Sequence, residues 1–573
     1  MDILIPGRVL SKDLLTSESF DCYDAFGHGI FQRRLLVLCT LAAFLTNAHG
    51  FALKLISKDV EYWCKQPATS NISEVAWRNA VVPEGTYGRS SRCYLYELPE
   101  DPNNTEAIPC QEWEYGDERE RMSIVSEWNL VCERRLLKAA ITAVHNAGAS
   151  FFPFAAGPIA DSIGRMPVLL TAVALFTVST VIGCLHTSFV IYTTIKFFAS
   201  GSVSVVGCLT VVSLFEVTTH ENRPLHILFS ITLGIILSDL WYVAFVPFEL
   251  GWKLKQAIFL LPTVLSPLYL CIVDESPRWL VATDQMESAE AVMLAAAEDN
   301  HFLYEHTASI IHKLKNEIAR NAQRLPAIDE DMLVGCSIQR RTFVMCLSYF
   351  SVMFTAFIAT YTPMNLNDYW VYPMSFAINL IACTIMCLLI TKITMLALMT
   401  VWFSLLGTLQ CLSSIAGGLE LTIMTEALIV VSKALYFSGG VLCFVYVLEL
   451  FPTAVRGTAA CWLYACGRLG AVAAFIAVAL QQIGRRDVAF AFAGLLLFTS
   501  IIAQRALPRA TTVECAKEEA KRRFDMSHRS MEHMKRSLDS RVQYSTRSKA
   551  SHETSRLSMT PRARHLSVSQ YGD

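Results

Sequence analysis

The chain has 573 residues, long enough for several soluble domains, but 53% of them are hydrophobic, 17% are charged and the mean hydropathy is +0.39. This composition is typical of a protein with many membrane-spanning segments. A net charge of -2 excludes the overall basic character that general nucleic-acid binding requires. We therefore expect a polytopic membrane protein that contacts the lipid bilayer and binds no nucleic acid.

The start of the chain indicates an orientation. Residues 1–34 hold no apolar run followed by a small-residue cleavage site, so we expect a cytoplasmic N-terminus without a removable signal peptide. Arg33 and Arg34 directly precede the first apolar segment, Leu35–Ile56. Because basic flanks stay on the cytoplasmic side, this segment is predicted to place its C-terminal end outside the cell.

The polar segment that follows, residues 57–135, is then expected to be an extracellular loop. Its cysteines form an even set, namely Cys64, Cys93, Cys110 and Cys132. Two disulfides are expected in this oxidising location, and three pairings are possible. Glycosylation sequons begin at Asn71 and Asn103, which agrees with the same location.

Eleven further apolar segments each approach the roughly 20 residues that cross a bilayer. Five lie at 137–160, 166–186, 189–216, 225–248 and 255–273. Six more lie at 342–362, 371–391, 393–415, 421–448, 457–480 and 487–504. Together they predict an all-α membrane protein with twelve transmembrane helices in two six-helix bundles, covering residues 35–273 and 342–504.

Two polar segments are placed in the cytoplasm by the parity of these spans. Residues 274–341 join the bundles, and their composition predicts short surface helices within 287–320. Residues 505–573 are rich in Ser, Arg and Lys and are predicted to form a disordered cytoplasmic tail. Ser567 would suit a basophilic kinase, and a solvated tail without a specific role explains the composition equally well.

Two basic residues lie about midway along predicted spans. Lys433 is in span 10 and Arg468 is in span 11. A charge at that depth costs roughly 2.5–3.5 kcal/mol on insertion scales, so it normally faces a bundle interior or a wet cavity. These two side chains are therefore the first candidates for a central binding site.

A charged motif occurs once in each half of the chain. Glu216 precedes Arg223 after span 4, and Glu449 precedes Arg456 after span 10, 233 residues later. This repeat predicts two pseudo-symmetric bundles that rock around a site at the membrane midplane. We interpret the four residues as gating ion pairs that close the cytoplasmic side, with capping and topology charges as the alternative.

A second charged motif, Gly157-Pro-Ile-Ala-Asp161-Ser-Ile-Gly164-Arg165, connects spans 2 and 3. Its glycines allow close helix approach, and Asp161 with Arg165 is predicted to form a charged latch at the membrane surface. This spacing resembles the loop signature of the major facilitator superfamily. The corresponding loop of the second half, after span 8, has no Gly-Arg pair.

Three further motifs make the resemblance narrower. They are Ser126–Cys132 (SEWNLVC), Asp274–Leu280 (DESPRWL) and Glu449–Arg456 (ELFPTAVR). Over residues 20–505 the chain resembles the organic cation/anion/zwitterion transporter family, solute carrier family 22, and within it the organic anion branch. The resemblance implies a secondary transporter of the plasma membrane that exchanges small organic anions against an intracellular dicarboxylate.

The same resemblance suggests roles for individual residues. Anion carriers of this family have Arg at the position of Arg468, and a guanidinium offers a planar fork that suits a carboxylate or sulfate. Lys433 matches a second basic position. Phe444 follows it by about three turns on the same helix face and would supply an aromatic wall.

Weaker candidates for the same cavity are polar or aromatic residues within spans. They are Asn47, Tyr242, His145, Asn146 and, on span 7, Tyr361. A helix–helix hydrogen bond explains a buried polar residue equally well. The aromatic residues of span 7, Tyr361 included, also fit a packing face.

Alternatives remain for the charged residues. Arg468 would be structural if it formed a salt bridge with Glu426 or Asp239. Lys196 on span 4 suits either a structural pair or proton coupling. Asp239 would be the acidic partner if the substrate were a zwitterion such as carnitine, or a cation.

The remaining alternative is a receptor or interaction protein that kept the fold without turnover, which the missing second-half loop motif suggests. The sequence contains no nucleotide-binding loop, no Glu/His metal cluster and no nucleophile arrangement. We therefore expect no enzyme activity, no cofactor and no metal, with transport driven by gradients or exchange.

Overall fold

The computed structural model describes residues 22–507, except 59, 67–72, 74–76, 78–92, 97–106, 117–122, 186–187, 220–222, 269–273, 325–330, 363–367, 391 and 482–485. The predicted glycosylation sites Asn71 and Asn103 and the predicted kinase site Ser567 lie outside the described residues.

Helices dominate the described chain. The first half contains α1 (Cys22–Phe26), α2 (Ile30–Ile56), α3 (Ile124–Glu127), α4 (Arg135–Ile163), α5 (Arg165–Leu185), α6 (Phe189–Val217), α7 (Arg223–Phe245) and α8 (Trp252–Phe259). The connecting segment contains α9 (Pro277–Ala282), α10 (Met286–Asp299) and α11 (Tyr304–Arg324). The second half contains α12 (Asp331–Tyr361), α13 (Asp368–Ile390), α14 (Met395–Gly418), α15 (Thr422–Leu450), α16 (Thr453–Gln481) and α17 (Arg486–Gln504).

Twelve of these helices, α2, α4–α8 and α12–α17, correspond to the twelve predicted spans. Within the described residues, eight are long and apolar enough to cross a membrane. The connection between α13 and α14 is a short turn in which the Lys392 amide donates to the Leu389 carbonyl. Lys392 therefore lies at the boundary between spans 8 and 9.

Two predicted spans differ from the structure. The span expected at 255–273 is instead α8 followed by a 3₁₀ helix, Leu261–Leu268. Pro262 and Pro267 cause this change, because proline has no N–H for the α-helical hydrogen bonds. In the second case α12 begins at Asp331, inside the expected connecting loop, since extending a helix costs less than starting one and no proline interrupts residues 331–341.

The segment between α2 and α4 folds into strands, which we had not predicted. Strand β1 (Tyr62–Cys64) pairs antiparallel with β4 (Trp113–Tyr115), and β2 (Tyr94–Tyr96) pairs antiparallel with β3 (Ala107–Pro109). We call this side of the molecule the strand end.

Disulfides fasten the strand end. The predicted bridges are present, and they join Cys64 to Cys110 and Cys93 to Cys132. The second bridge ties the hairpin of β2 and β3 to the residues directly before α4.

The opposite side, the loop-helix end, carries α1 and α9–α11. The Asn300 side chain accepts a hydrogen bond from the Phe31 amide and donates to the Phe26 carbonyl, both at 3.0 Å. The Thr307 hydroxyl donates to the Ala25 carbonyl at 2.6 Å. These contacts fasten α1 and the connecting helices to the start of α2.

Glycine permits two close helix crossings that shape the interior. A side-chain carbon at Gly157 of α4 would lie 2.9 Å from Thr458 and Cys461 of α16, which joins the two halves. A side-chain carbon at Gly467 of α16 would collide with the Tyr349 ring of α12. Helix α16 therefore packs tightly against one helix of each half.

Candidate functional site

A cavity of about 410 Å³ lies between the two halves. Both halves line it, and it reaches the strand end, where Lys54 and Ser57 close α2. All six residues that the sequence suggested for substrate contact line this cavity, namely Asn47, Tyr242, Tyr361, Lys433, Phe444 and Arg468. Charge is unevenly distributed, because the described lining contains three basic residues, Lys54, Lys433 and Arg468, and one acidic residue, Asp239.

Arg468 is held by its own helix. Its Nε donates to the hydroxyl oxygen of Tyr464 at 3.0 Å, its second terminal nitrogen donates to the same oxygen, and the guanidinium carbon lies 4.9 Å from the Tyr464 ring centroid. The guanidinium therefore binds a neutral hydroxyl. The alternative considered from the sequence was a salt bridge between Arg468 and the carboxylate of Glu426 or Asp239. A neutral partner leaves the positive charge available inside the cavity.

Asp239 occupies the opposite wall. The Asn47 amide of α2 donates to its carboxylate at 3.3 Å, and Asn379 of α13 lies beside the same carboxylate. The two amides orient the carboxylate without neutralising it. The cavity thus holds an acid in the first half and a guanidinium in the second half.

Aromatic rings form much of the remaining wall. On span 7, Tyr349, Phe357 and Tyr361 line the cavity, whereas Phe350 and Phe354 pack in an apolar cluster without lining it. The aromatic series is therefore divided between cavity and packing. His145 and Asn146 of α4 also line the cavity.

A buried ion cluster joins the halves between the cavity and the loop-helix end. Glu216 is fully buried, and its carboxylate accepts from Arg165 at 3.1 Å and from Arg456 of the other half at 3.3 Å. Arg165 also donates to the Thr453 carbonyl at 2.7 Å, and Arg456 to the Thr453 hydroxyl at 2.9 Å. The latch that we expected at the membrane surface is therefore buried, with Arg165 only 1% exposed.

The repeated Glu-to-Arg motif is connected across the two halves. Glu216 of the first half contacts Arg456 of the second, and Glu449 of the second interacts electrostatically with Arg223 of the first. Arg223 and Arg456 both lie over the Phe215 ring, 5.0 and 4.8 Å from its centroid. The Glu of each motif therefore interacts with the Arg of the other motif, and the two motifs together hold the two halves in contact.

Glu275 of the DESPRWL motif supports this cluster, a role that was not predicted from the sequence. Its carboxylate accepts from the amides of Arg165 and Met166 at 2.9 and 3.0 Å, which caps the N-terminus of α5. The Trp279 indole donates to the Asp161 carbonyl at 3.0 Å. No local pattern in the sequence signals this role, because Glu275 and the helix start that it caps are 110 residues apart in the chain.

Twelve spans, two halves and a charged cavity between them define a membrane transporter with the major facilitator superfamily fold. The family model described as "Sugar (and other) transporter" matches residues 87–522, and the chain belongs to that family. Membership makes the protein a non-enzymatic, multi-pass membrane transporter.

Curated relatives match most of this chain. "Solute carrier family 22 member 7" of Rattus norvegicus is 26% identical over 83% of this chain and 93% of its own length. "Solute carrier family 22 member 21" of Mus musculus is 24% identical over 83% and 88%. "Organic cation/carnitine transporter 2" of Mus musculus is 23% identical over 78% and 83%. The resemblance to solute carrier family 22 is confirmed.

Solved structures agree on the fold. The proton:xylose symporter XylE bound to 6-bromo-6-deoxy-D-glucose has a TM-score of 0.57 and 14% identity, covering 82% of this chain and 94% of that chain. A partially occluded, inward-open form of XylE from E. coli has a TM-score of 0.52 and 14% identity, covering 82% and 96%.

Proposed function

We propose that the protein is a plasma-membrane secondary transporter of small organic anions that works by alternating access. The observation that carries this proposal is the guanidinium of Arg468, which lines the cavity while bonded only to the Tyr464 hydroxyl among the described residues. A planar fork in an aromatic-lined site suits a carboxylate or sulfate. Lys433 is the auxiliary cation, and Phe444, Tyr242, Tyr361 and Asn47 contact the apolar and polar parts of the ligand.

The proposed orientation follows the basic flank of the first span. The loop-helix end and both chain termini face the cytoplasm, and the strand end with its disulfides faces outward. In this orientation the buried cluster of Glu216, Arg165 and Arg456 is a closed cytoplasmic gate. Asp161, Arg223 and Glu449 belong to the same gate, and the cavity is accessible from outside.

The energy source is proposed to be exchange. A second anion, such as an intracellular dicarboxylate, would bind the same cations from the cytoplasmic side and drive the return step. Three basic residues in the described lining against one acidic residue support a site that accepts more than one negative charge.

The test is uptake into proteoliposomes that contain the purified full chain and are preloaded with a dicarboxylate such as glutarate, with three probes: hippurate as an anion, carnitine as a zwitterion and tetraethylammonium as a cation. Hippurate uptake should exceed that of tetraethylammonium, and Arg468→Ala should reduce it by at least about ten-fold, the loss of one charge-assisted hydrogen bond pair. Arg505→Ala, at the end of α17, is the matched control. Unchanged hippurate uptake in a correctly folded Arg468→Ala protein would contradict the proposal.

A zwitterion is the second candidate substrate, and Asp239 favours it. Its carboxylate lines the same cavity as Arg468 from the opposite half, so a ligand with a cation and a carboxylate would engage both walls. Carnitine uptake that is abolished by Asp239→Asn, with hippurate uptake retained or increased, would establish this alternative. Hippurate binding without flux would instead favour a receptor.

A further inference from the structure

Three titratable side chains lie together beside the cavity, outside the anion site itself. His49 of α2 and His145 of α4 stack with ring centroids 5.5 Å apart and an interplanar angle of 17°. Lys196 of α6 acts electrostatically on both rings. The three side chains are 1%, 8% and 2% exposed, respectively.

Burial of these three polar side chains costs free energy, and hydrogen bonds or salt bridges among the described residues do not offset that cost. Nδ1 of both histidines is buried without a hydrogen-bond partner in the part of the chain that the structure describes. Over the same residues, Lys196 has no salt bridge, and its ammonium lies 5.3 Å from the Tyr192 ring centroid. An unsatisfied buried polar group destabilises the fold, so apolar residues would serve a purely structural role better. The structural ion pair expected for Lys196 is therefore not what these residues form.

We infer that the stacked pair His49 and His145 is a proton-binding site that couples proton uptake to substrate binding. The inference rests on the proposed function, since it names the coupling ion of the same cavity. His145 lines the cavity and receives the proton from the strand end, and His49 lies directly behind it. The proton occupies one of the two open Nδ1 positions and leaves when the loop-helix end opens.

Charge links this proton to the anion. Burial disfavours a charge on His145 most, and the positive charges of Arg468 of α16 and Lys196 of α6 add to that opposition. An anion bound to Arg468 cancels part of that opposition, so anion binding favours proton binding, and the reverse holds by linkage.

The other titratable groups around the pair do not replace it. Cys184 of α5 and Tyr192 act on Lys196 from the strand end. Phe176 of α5 presents an apolar edge to His49. The acid of α7, Asp239, is held by Asn47, two residues before His49, and Tyr361 of α12 interacts with Asn146. The imidazole pair is thus the titratable group that lies between the cavity and Lys196.

The experiment measures proton and hippurate movement together. Proteoliposomes contain the full chain and the pH dye pyranine, and potassium with valinomycin holds the membrane potential at zero. Wild type should acidify the lumen by about one proton per hippurate, and an inward proton gradient should accelerate uptake. His145→Gln and His49→Gln should lower the proton-to-hippurate ratio at least about five-fold.

The control is His312→Gln, an exposed histidine on α11 that contacts Asn316 and should keep the wild-type ratio. Hippurate uptake without lumen acidification in wild type would overturn the proton site and leave the anion proposal standing. So would an unchanged ratio in both histidine variants. If wild type moved no anion at all, the proposed function would fail together with this inference.

Discussion

Asp161 and Thr458 join the two halves of the protein by a double hydrogen bond. The Asp161 carboxylate of α4 accepts from the Thr458 amide at 2.7 Å and from its hydroxyl at 2.6 Å, and it also accepts from the Gly457 amide at 3.1 Å. The carboxylate therefore occupies the N-terminal turn of α16, where helix geometry favours negative charge. This contact must break before the loop-helix end can open.

Asp161→Asn should open that end more often. An amide cannot accept all three donors as strongly, and hydrogen bonds to a charged group contribute about 1.5–3 kcal/mol, so labelling of buried Cys461 by N-ethylmaleimide should rise about ten-fold. Mass spectrometry of the Cys461 peptide measures this. Ser162→Ala, next in sequence and bonded only within α4, is the control. Equal labelling of both variants would show that Asp161 does not hold the contact.

Glu216→Gln should destabilise the protein strongly. It leaves Arg165 and Arg456 buried without their shared carboxylate, and removing one partner of a buried ion pair costs about 3–5 kcal/mol. Thermal unfolding in nanodiscs gives the readout. Glu290→Gln breaks the half-exposed pair with Lys315 and should cost about 0–1 kcal/mol. Similar melting temperatures for both variants would contradict the predicted difference.

Tyr464→Phe should weaken anion transport without abolishing it. The guanidinium of Arg468 keeps its charge but loses the hydroxyl that orients it, so KM for hippurate should rise about five-fold, the equivalent of about 1 kcal/mol. Steady-state uptake kinetics separate KM from the maximal rate. Tyr446→Phe, on α15 and not part of the described cavity lining, should leave KM within two-fold, about 0.4 kcal/mol. A rise of the same size in both would remove the assigned role.

The disulfide pairing should be visible as non-additive losses of stability when cysteines are replaced singly and in pairs. Removing one bridge from a small disulfide-bonded unit costs about 2–5 kcal/mol, so Cys93→Ser alone should cost as much as Cys93→Ser with Cys132→Ser. Combining Cys93→Ser with Cys110→Ser breaks both bridges and should cost clearly more. Thermal unfolding measures all three variants. A Cys93/Cys110 double variant no worse than the single one would indicate a different pairing.

Lys196→Gln should shift the pH dependence of coupling. Removing this positive charge makes protonation of His49 and His145 easier, so proton-linked hippurate uptake should persist to higher pH, with its midpoint raised. Uptake is measured from pH 5.5 to 8.5 at a fixed proton gradient. Lys313→Gln, exposed on α11, is the control. A midpoint that falls in Lys196→Gln would contradict the assigned electrostatics.

The site residues that could be predicted from the sequence are those for which the energetics of the membrane allow only one location. A charge midway along an apolar helix must face the interior, and both Lys433 and Arg468 line the cavity. The twelve spans followed from apolar length in the same way. The number of disulfides could also be predicted, because it follows from the presence of four cysteines in one polar loop.

What could not be predicted depends on distances between segments far apart in the chain. The partner of Glu216 is Arg456, 240 residues away, and nothing local distinguishes it from Arg223. The pairing of Cys64 with Cys110 depends on strands that are three residues long, too short for a reliable pattern. Tyr464 was missed although it lies one turn before Arg468, because a tyrosine in an apolar helix fits ordinary packing.

The glycine crossing between α16 and α12 has a mechanical consequence. Gly467 admits the Tyr349 ring, and Gly470 would place a side-chain carbon 2.7 Å from the Phe350 carbonyl, so these two helices interlock over more than one turn. Interlocked helices slide little against each other. Arg468 and the aromatic rings of α12 should therefore move as one rigid body. For a ligand bound to them, the transport cycle would then consist of motion of the opposite wall, which carries Asp239 and Asn47.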